Sequence, residues 1–508
     1  MGRPPRFPAL PGGFLDALRQ VVGEPNVAAD PAELWAYATD ASDRVAPPGA
    51  VVRPADVEEV VGVVKACREF GVSLTPRGAG TSFAGQALNL TGGLVLDARR
   101  MNRIVDVDVA DRVVVAQPGV LYEKINHALA KVGFFFPPEP GSAKLCTLGG
   151  MVGNNASGMR SVKYGPTRDH VLDLEVVLSD GSVVHTGSRC LKSAATYGLT
   201  GLFVGSEGTL GVITEVTLKI TPLPGFRETF VASFTDARAA TSCAVEVQKR
   251  GVVPSAMELL TDFVISQLEQ DFDRPFPDEA KAPGGAALLV EVDGTTEEGV
   301  AAEARLVEET LRERAVEVRR AEGEEERRRF WDARHALGQR LTKIRRGLMT
   351  NAAIMDVGVP LSKVPDAVEA LREITTREGC SKFVTVYGHV GDGNLHVGTT
   401  IDERSPGGRE VARNTTRAVL DAVKKLGGTL SAEHGTGFVK APFLEEVAGA
   451  GAVALMRAVK RALDPAGLFN PGQMGLDFGP FGGRRPDDQF VKTIDGWLAA
   501  RGEGGESS

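Results

Sequence analysis

Apolar residues recur at helical spacing in GFLDALRQVVG and again around PAELWAYATD, so residues 1–45 read as a helical segment in which Asp30 can cap a helix begun at Pro31. The pattern then changes. VVRPADVEEVVGVVKACREFGVSLTPRG predicts an extended start at Val51, a helix from Asp56 to Phe70 closed by Gly71, and a short apolar strand ahead of Pro76. Strands are predicted at GLVLDA, DRVVVAQPG, LEVVLSDGSVVHTG and LGVITEVTLKI, the third folded back at Asp180 and Gly181. The prolines of TPLPG, around Pro222 to Gly225, mark a linker. Beyond it, VASFTDARAATSCAVEVQKRG and ALLVEVDGTTEEGVAAEARLVEETLRERAVEVRR each read as strand, turn and helix. A last amphipathic helix runs to Leu463 and stops at Pro465. No fixed period indicates a solenoid.

With 508 residues the chain is too long for one ordinary core, and the pattern divides it into a helical segment (1–45), a first domain (46–224), a second domain (225–440), a C-terminal helical segment (441–475) and a glycine- and charge-rich tail (476–508). Hydrophobic residues at 43% and charged residues at 24% are those of a globular protein, which excludes disorder and fibre. A net charge of −8 offers no basic field to nucleic acid, and the run EEERRRF interleaves both signs as a solvated helix face does. The N-terminus has no continuous apolar core of a signal peptide, and no segment reaches the ~18 apolar residues of a membrane span, so the expected location is cytoplasmic. Five cysteines stand singly, without CxxC, which argues against an iron–sulfur cluster and for a reducing compartment.

Three glycine-rich segments crowd the first domain. PRGAGTSFAGQAL follows a predicted strand and offers successive backbone N–H groups, either as a cradle for a diphosphate or simply as a tight loop. It lacks the helix start of a dinucleotide fingerprint and the lysine of a P-loop. PPEPGSAKLCTLGGMVGNNASGMRSVKYG reads as a long loop whose apolar residues argue against disorder, and FVGSEGTLGVITEVTLKI runs from a glycine-punctuated loop straight into a strand. Together they suit a large, flat, anionic cofactor such as FAD.

Two short segments near the C-terminal end, YGHVGDGNLHV and SAEHGTG, hold three of the seven histidines. A reversal over Gly391 to Asn394 would turn His389 and His396 toward one point, because seven residues of unbroken strand would point them to opposite faces. With Glu433 they would form a three-ligand site for a divalent metal, Zn²⁺, Mn²⁺ or Fe²⁺, leaving His434 as a base. The alternative is packing: a hydrogen-bonded core histidine, a strand residue and a helix start.

PRGAGTS, TLGGMVGNNASG with YGPTRDHVL, GSEGTLGVITEVTLKI, PSAMELL, GHVGDGNLH, EHGTG and DPAGLFNPG stand in the order found in FAD-linked D-2-hydroxyacid oxidoreductases, over roughly residues 30 to 475. The chain thus resembles the glycolate oxidase flavoprotein subunit and D-lactate dehydrogenase members of the vanillyl-alcohol-oxidase-type flavoproteins. The resemblance implies an α+β, two-domain flavoprotein: an FAD-binding domain over 46–224, and a substrate and metal domain over 225–440 with an antiparallel sheet and flanking helices. The 441–475 segment would return to the flavin.

By matching segments, Arg77, Gly78, Ala79, Gly80, Thr81 and Ser82 would bind the diphosphate, and Gly149, Gly150, Asn154 and Ser157 would line the flavin. Glu207, Gly208 and Ile213 would hold the adenosine half or the ring, and Asn470 would approach the isoalloxazine. The first glycine loop has no His, so noncovalent FAD is expected. His389, His396 and Glu433 would carry the metal, His434 would be the general base, and Arg334 in FWDARHALG would bind the substrate carboxylate. His335 would be structural and Tyr387 a pocket or packing residue.

The implied reaction is oxidation of a small D-2-hydroxy acid to the 2-oxo acid. Ile354 and Gly398 stand where D-2-hydroxyglutarate dehydrogenases tend to carry Lys and Asn, which favours D-lactate or glycolate over D-2-hydroxyglutarate or D-malate. Electrons would pass to an external acceptor: an electron-transfer flavoprotein, an iron–sulfur subunit or a quinone. A flavin subunit inert on its own, or one held peripherally at a membrane by such a partner, is the competing expectation.

Overall fold

The computed structural model describes residues 7–42, 44–269, 276–344, 349–350, 356–377, 385–398, 400–401, 406–476 and 492–493. In its first half, strands Ala50–Val52, Leu94–Asp97 and Leu74–Arg77 pair in parallel, and Val27–Ala28 adds an antiparallel edge. The N-terminal segment is therefore not purely helical: after helix Phe14–Val22 it contributes a strand to this sheet. Pro76 is tolerated because Leu74–Arg77 is the last strand of its sheet, where a missing N–H can go unpaired. Helix Val57–Phe70 starts under Asp56, whose carboxylate accepts from the Glu59 N–H, and ends at Gly71 with φ 68°. It lies between two sheets: Val60, Val63, Val64 and Cys67 pack both on the parallel strands and on Val177 and Val212 of a five-stranded antiparallel sheet.

The second half is built on a seven-stranded antiparallel sheet, in spatial order Glu317–Arg320, Phe226–Phe234, Ala286–Gly294, Ala256–Thr261, Thr385–His389, Asn394–Gly398 and Val357–Gly358. Alternation gives its two faces different chemistry. Phe230, Ala232, Phe234, Met257, Leu259, Leu288, Val290, Val292, Leu395 and Val397 point one way, under helices Ala237–Lys249, Glu297–Arg312, Val364–Thr375 and Gly408–Lys425. Burial of that face follows the ordinary hydrophobic driving force.

The opposite face mixes apolar residues (Val231, Leu260, Leu289), covered by helix Gly323–Ile344 through Phe330, Trp331 and Leu337, with a row of ionisable ones. Cross-strand pairing sets Arg227 against Asp293, Thr229 against Glu291, and Glu258 against His389. This polar face meets the glycine loops of the first half. Arg160 reaches across to Glu291 at 3.3 Å, and Lys163 to Asp293 at 2.7 Å. Arg327, in the run read as a solvated face, also turns inward to Glu291 at 3.3 Å.

The C-terminal segment returns to the first half. Helix Ala450–Leu463 sends the buried Lys460 ammonium to the carbonyls of Thr209 and Phe469, and Leu74 takes Leu468 and Asn470 as backbone partners, which extends the parallel sheet. No helix among the described residues is long and apolar enough to cross a membrane.

Candidate active site

Chain reversal occurs over residues 390–393, where Gly393 has φ 83°. Asn394 is already in the strand, so its amide is free to donate to Asp356 Oδ1 at 2.6 Å and to the Val357 carbonyl at 3.1 Å. Tyr387 pairs with His396 across the hairpin, and His389, two residues on, shares their face. His389 Nδ1 lies 2.6 Å from Glu258 Oε1. An ionised carboxylate only accepts, so a proton sits on Nδ1 and Nε2 points away from Glu258.

That Nε2 is 3.4 Å from His396 Nε2 and 3.6 Å from Glu433 Oε1, and His396 Nε2 is 3.3 Å from the same oxygen. Ligands ~2.0–2.1 Å from a tetrahedral ion lie about 3.3–3.4 Å apart, so the three atoms are spaced as donors to one metal would be. His434 Nε2 is 3.4 Å from Glu433 Oε1, its ring stacks on His396 with centroids 5.3 Å apart, and its buried Nδ1 has no partner. A second trio, Asp356, His396 and His434, also has its ligand atoms within 4.8 Å of one another. Asp356 is a poor ligand there, because Oδ1 is taken by Asn394 and Oδ2 accepts from the backbone N–H groups of Ala432, Glu433 and His434 and from Ser431.

The loop 431–437 is thereby hung from both halves of the molecule. From the second half come Asp356 and the Lys440 ammonium, which donates to the carbonyls of Asp356 and Leu430 and to Ser431 Oγ. From the first half, Gln86 donates to the His434 carbonyl at 2.6 Å, Asn154 to the Glu433 carbonyl at 3.3 Å and Ser157 to Glu433 Oε2 at 3.1 Å. Glu207 accepts from the N–H groups of Thr436 and Gly437 at 2.6 and 2.8 Å. Glycine is required at both turns of EHGTG. A Cβ at Gly435 (φ 77°) would sit 2.5 Å from Gln86 Nε2, and one at Gly437 (φ 55°) 1.9 Å from the Ala84 carbonyl oxygen.

Burial and charge tune the groups in opposite directions. Burial would raise the Glu258 pKa, but His389 and Arg334 hold it at about 2. Burial likewise opposes ionisation of Glu433, yet His389 beside it keeps the carboxyl well below its ordinary value. His389 would be depressed by burial, but Glu258 and Glu433 raise it well above an ordinary imidazole, so a metal ion would bind at Nε2 in place of a proton. Burial pushes His396 down to about 4, so it is a neutral imidazole, with one ring nitrogen that can accept or ligate. Burial also lifts Glu207 to about 7, against the pull of the two N–H groups it accepts from.

His389, His396, Glu433, His434 and Glu207 border one cavity of about 1630 Å³, lined also by residues 77–82, Gly149, Gly150, Asn154, Ser157, Gly208, Ile213 and Arg334. Its volume exceeds the ~300–1,000 Å³ of an ordinary small-molecule pocket, as a cofactor together with its substrate requires. The walls fit FAD. A Cβ at Gly153 would meet nothing within 4 Å and one at Gly150 only Thr147 Oγ1, an atom that is itself buried without a partner. The cavity therefore presents open backbone and unspent polar atoms.

Several expected residues have other duties. Asn470 is absent from the lining: its side chain accepts from Thr75 and donates to the carbonyls of Gln86 and Glu207, so it staples the wall from behind. The Arg77 guanidinium ties the glycine loop to the carbonyls of Thr39 and Ala87. Arg334 borders the cavity but pairs through Nε and Nη2 with Glu258 Oε2 at 2.8 and 2.7 Å, its guanidinium 5.6 Å over the Tyr387 ring. His335 lines the cavity too, bonded to the Trp331 carbonyl. The 137–165 segment is not all loop. Leu148–Asn154 is helical because Leu148, Met151 and Val152 share one buried side, and Ser161–Tyr164 adds a helical turn. Glu258, Asp356 and Lys440 had no expected role. A lone carboxylate within SAMELLT was the available signal, since a charge there must find buried partners.

Comparison with known proteins agrees with an FAD-binding first half and an antiparallel second half. Residues 48–187 match the family described as FAD binding domain, and residues 223–474 the family described as FAD linked oxidases, C-terminal domain. Glycolate oxidase subunit GlcD of Bacillus subtilis is 34% identical over 461 residues, 90% of this chain and 96% of that protein. The probable mitochondrial D-lactate dehydrogenase of Danio rerio is 34% identical over 468 residues, 91% of each. Among solved structures, p-cresol methylhydroxylase with substrate bound superposes with a TM-score of 0.73 at 18% identity, covering 92% of this chain and 98% of that one, which establishes the shared fold. An FAD-binding half, an antiparallel second half and this degree of identity place the chain in the family of FAD-linked oxidoreductases that contains glycolate oxidase subunits and D-lactate dehydrogenases.

Proposed function

We propose that the protein oxidises a small D-2-hydroxy acid, D-lactate or glycolate, to the 2-oxo acid. The observation that carries this reading is the convergence of His389 Nε2, His396 Nε2 and Glu433 Oε1, with His434 beside them, on a cavity walled by the glycine segments of an FAD-binding half. FAD supplies the hydride acceptor. A divalent ion on His389, His396 and Glu433 would supply Lewis acidity toward the substrate hydroxyl.

The side chains do the rest. His434 takes the hydroxyl proton: its Nδ1 has no partner, and its ring is fixed between His396 and Phe83, with centroids 5.3 and 4.8 Å away. Arg334 keeps N–H groups beyond those spent on Glu258, and these receive the substrate carboxylate. Phe83, Met159 and Tyr387 line the cavity and limit water.

A small monocarboxylate is in keeping with Gly398, which has no side chain of its own to hold a second carboxylate and whose Cβ would lie 2.1 Å from Thr385 Oγ1. Ile354, the other position bearing on chain length, lies outside the described residues. Electrons leave to an external acceptor, in keeping with a relative named as a subunit and with cysteines that stand singly. The test is anaerobic addition of D-lactate, glycolate, D-malate or D-2-hydroxyglutarate to the flavin-loaded protein, with and without prior chelation. Bleaching of the flavin by a monocarboxylate, lost on chelation, is expected. Bleaching only by a dicarboxylate would overturn the substrate, and bleaching that survives complete metal removal would overturn the metal.

A further inference from the structure

Glu258 occupies the middle of strand Ala256–Thr261, is fully buried, and does not border the cavity. Both its oxygens are spent on groups that do. Oε1 takes the His389 Nδ1 proton at 2.6 Å, and Oε2 takes the Nε and Nη2 protons of Arg334 at 2.8 and 2.7 Å. Strand register sets His389 directly opposite Glu258, and helix Gly323–Ile344 lays Arg334 over the same face. One rigid carboxylate in the sheet is thus the common support of an imidazole and a guanidinium.

We propose that Glu258 is a positioning residue that serves two parts of the site at once, fixing the His389 tautomer so that Nε2 is the ligating nitrogen, and turning Arg334 so that its remaining N–H groups meet the substrate carboxylate. The inference rests on the reading of His389 and Arg334 given above. Its physical basis is twofold. A neutral imidazole has two tautomers, and an acceptor at Nδ1 selects the one that can ligate through Nε2; such supports change metal affinity when removed. A guanidinium is a planar fork, so fixing its Nε and Nη2 edge while the Tyr387 ring lies beneath it leaves one orientation for the rest. Because both contacts belong to one side chain, the separation between metal and carboxylate subsites is set by the sheet and not by two independent rotamers.

Glu258→Gln removes one acceptor and introduces an N–H₂ group that cannot face either donor. Zn²⁺ affinity, measured by competition with a chromophoric chelator on the FAD-loaded protein, should fall about 10–100-fold. The KM for the hydroxy acid should rise as well. Arg334→Ala should raise KM without moving Zn²⁺ affinity, and at saturating Zn²⁺ the double variant should show the KM of Arg334→Ala alone, since with the metal site filled Glu258 acts on substrate only through that arginine. Unchanged Zn²⁺ affinity in Glu258→Gln, or KM effects that multiply in the double variant at saturating Zn²⁺, would overturn the proposal. Should Glu258→Gln fail to retain flavin, Glu258→Asp keeps the charge but is one methylene short of spanning both partners, so Zn²⁺ affinity or KM must change, and no change in either overturns it. A parent protein that takes up no Zn²⁺ and is reduced by no hydroxy acid would overturn the proposed function itself, whatever Glu258 does.

Discussion

Asp356→Asn asks whether one buried charge holds the loop that presents Glu433 and His434. The carboxylate Oδ2 accepts from three consecutive N–H groups at 3.0, 3.1 and 2.9 Å, while Oδ1 accepts from Asn394. Asparagine can keep its oxygen toward the loop. Its Nδ2 would then face Asn394, whose own Oδ1 has no partner and can be brought round by an amide flip. Charge is therefore removed with little change of shape, and the group left behind is the buried Lys440 ammonium, 3.5 Å from Asp356 Oδ2, whose other contacts are all neutral oxygens. Removing one member of a buried pair costs about 3–5 kcal/mol.

The pH dependence of that cost has a definite sign. Burial already lowers the Lys440 pKa, and without Asp356 it falls further, while the unfolded chain keeps the ordinary value. The unfolded variant then binds more protons than the folded one, so stability rises with pH and the deficit is largest in mildly acidic buffer. Denaturant unfolding of parent and variant, followed by flavin signal and by circular dichroism at several pH values, measures both quantities. A deficit below about 1 kcal/mol in acidic buffer, or one that grows with pH, would refute the argument that the pair's charges matter more than the hydrogen bonds that Asn can retain.

His396→Ala should lose bound metal and turnover while keeping FAD, read by metal analysis beside flavin absorbance; full turnover would remove His396 from the site. Gly153→Leu places a side chain where a Cβ meets nothing, so the flavin-free protein should be as stable or about 0.5–1 kcal/mol more so, while flavin content drops; full flavin occupancy would show that this wall is not the cofactor's. Arg160→Met takes one shared cation from Glu139, Glu291 and Asp293, the first on the same glycine segment and the others on the large sheet, while Lys163 and Arg327 remain beside the last two. Unfolding free energy should fall by about 1.5–3 kcal/mol, and a variant as stable as the parent would show that this arginine does not join the two halves.

Local rules made much of this fold readable. Asp56, Gly71 and the alternation in VASFTDARA and ALLVEVDG are instructions that act within a few residues, and each element they predict is present. The convergence of His389 and His396 was legible for the same reason, because a hairpin is a local event. Tertiary packing overrode propensity at Leu148–Asn154, where three buried apolar residues make a helix out of a glycine-rich sequence. Local pattern also misjudged Asn394, read as a turn residue and found in a strand, where its amide supports Asp356.

What sequence could not supply is the pairing of distant polar groups. Glu207 caps a turn 229 and 230 residues away, Gln86 reaches a carbonyl 348 residues away, and Asn470 closes on Gln86 across 384. No periodicity encodes such contacts. Burial does leave a trace, since an unpaired charge in an apolar environment costs several kcal/mol and a carboxylate inside an apolar strand must therefore have partners. Glu258 within AMELLT and Asp356 within MDVGVP carry that trace. Each proves to be a hub: one ties a candidate ligand to a candidate substrate arginine, the other ties three backbone N–H groups to a lysine. The same reasoning explains why the candidate site lies on the second face of the large sheet. A fully apolar second face would have buried itself under helices as the first did, whereas a row of charges holds its partners at fixed positions and leaves the glycine-lined cavity open beside them.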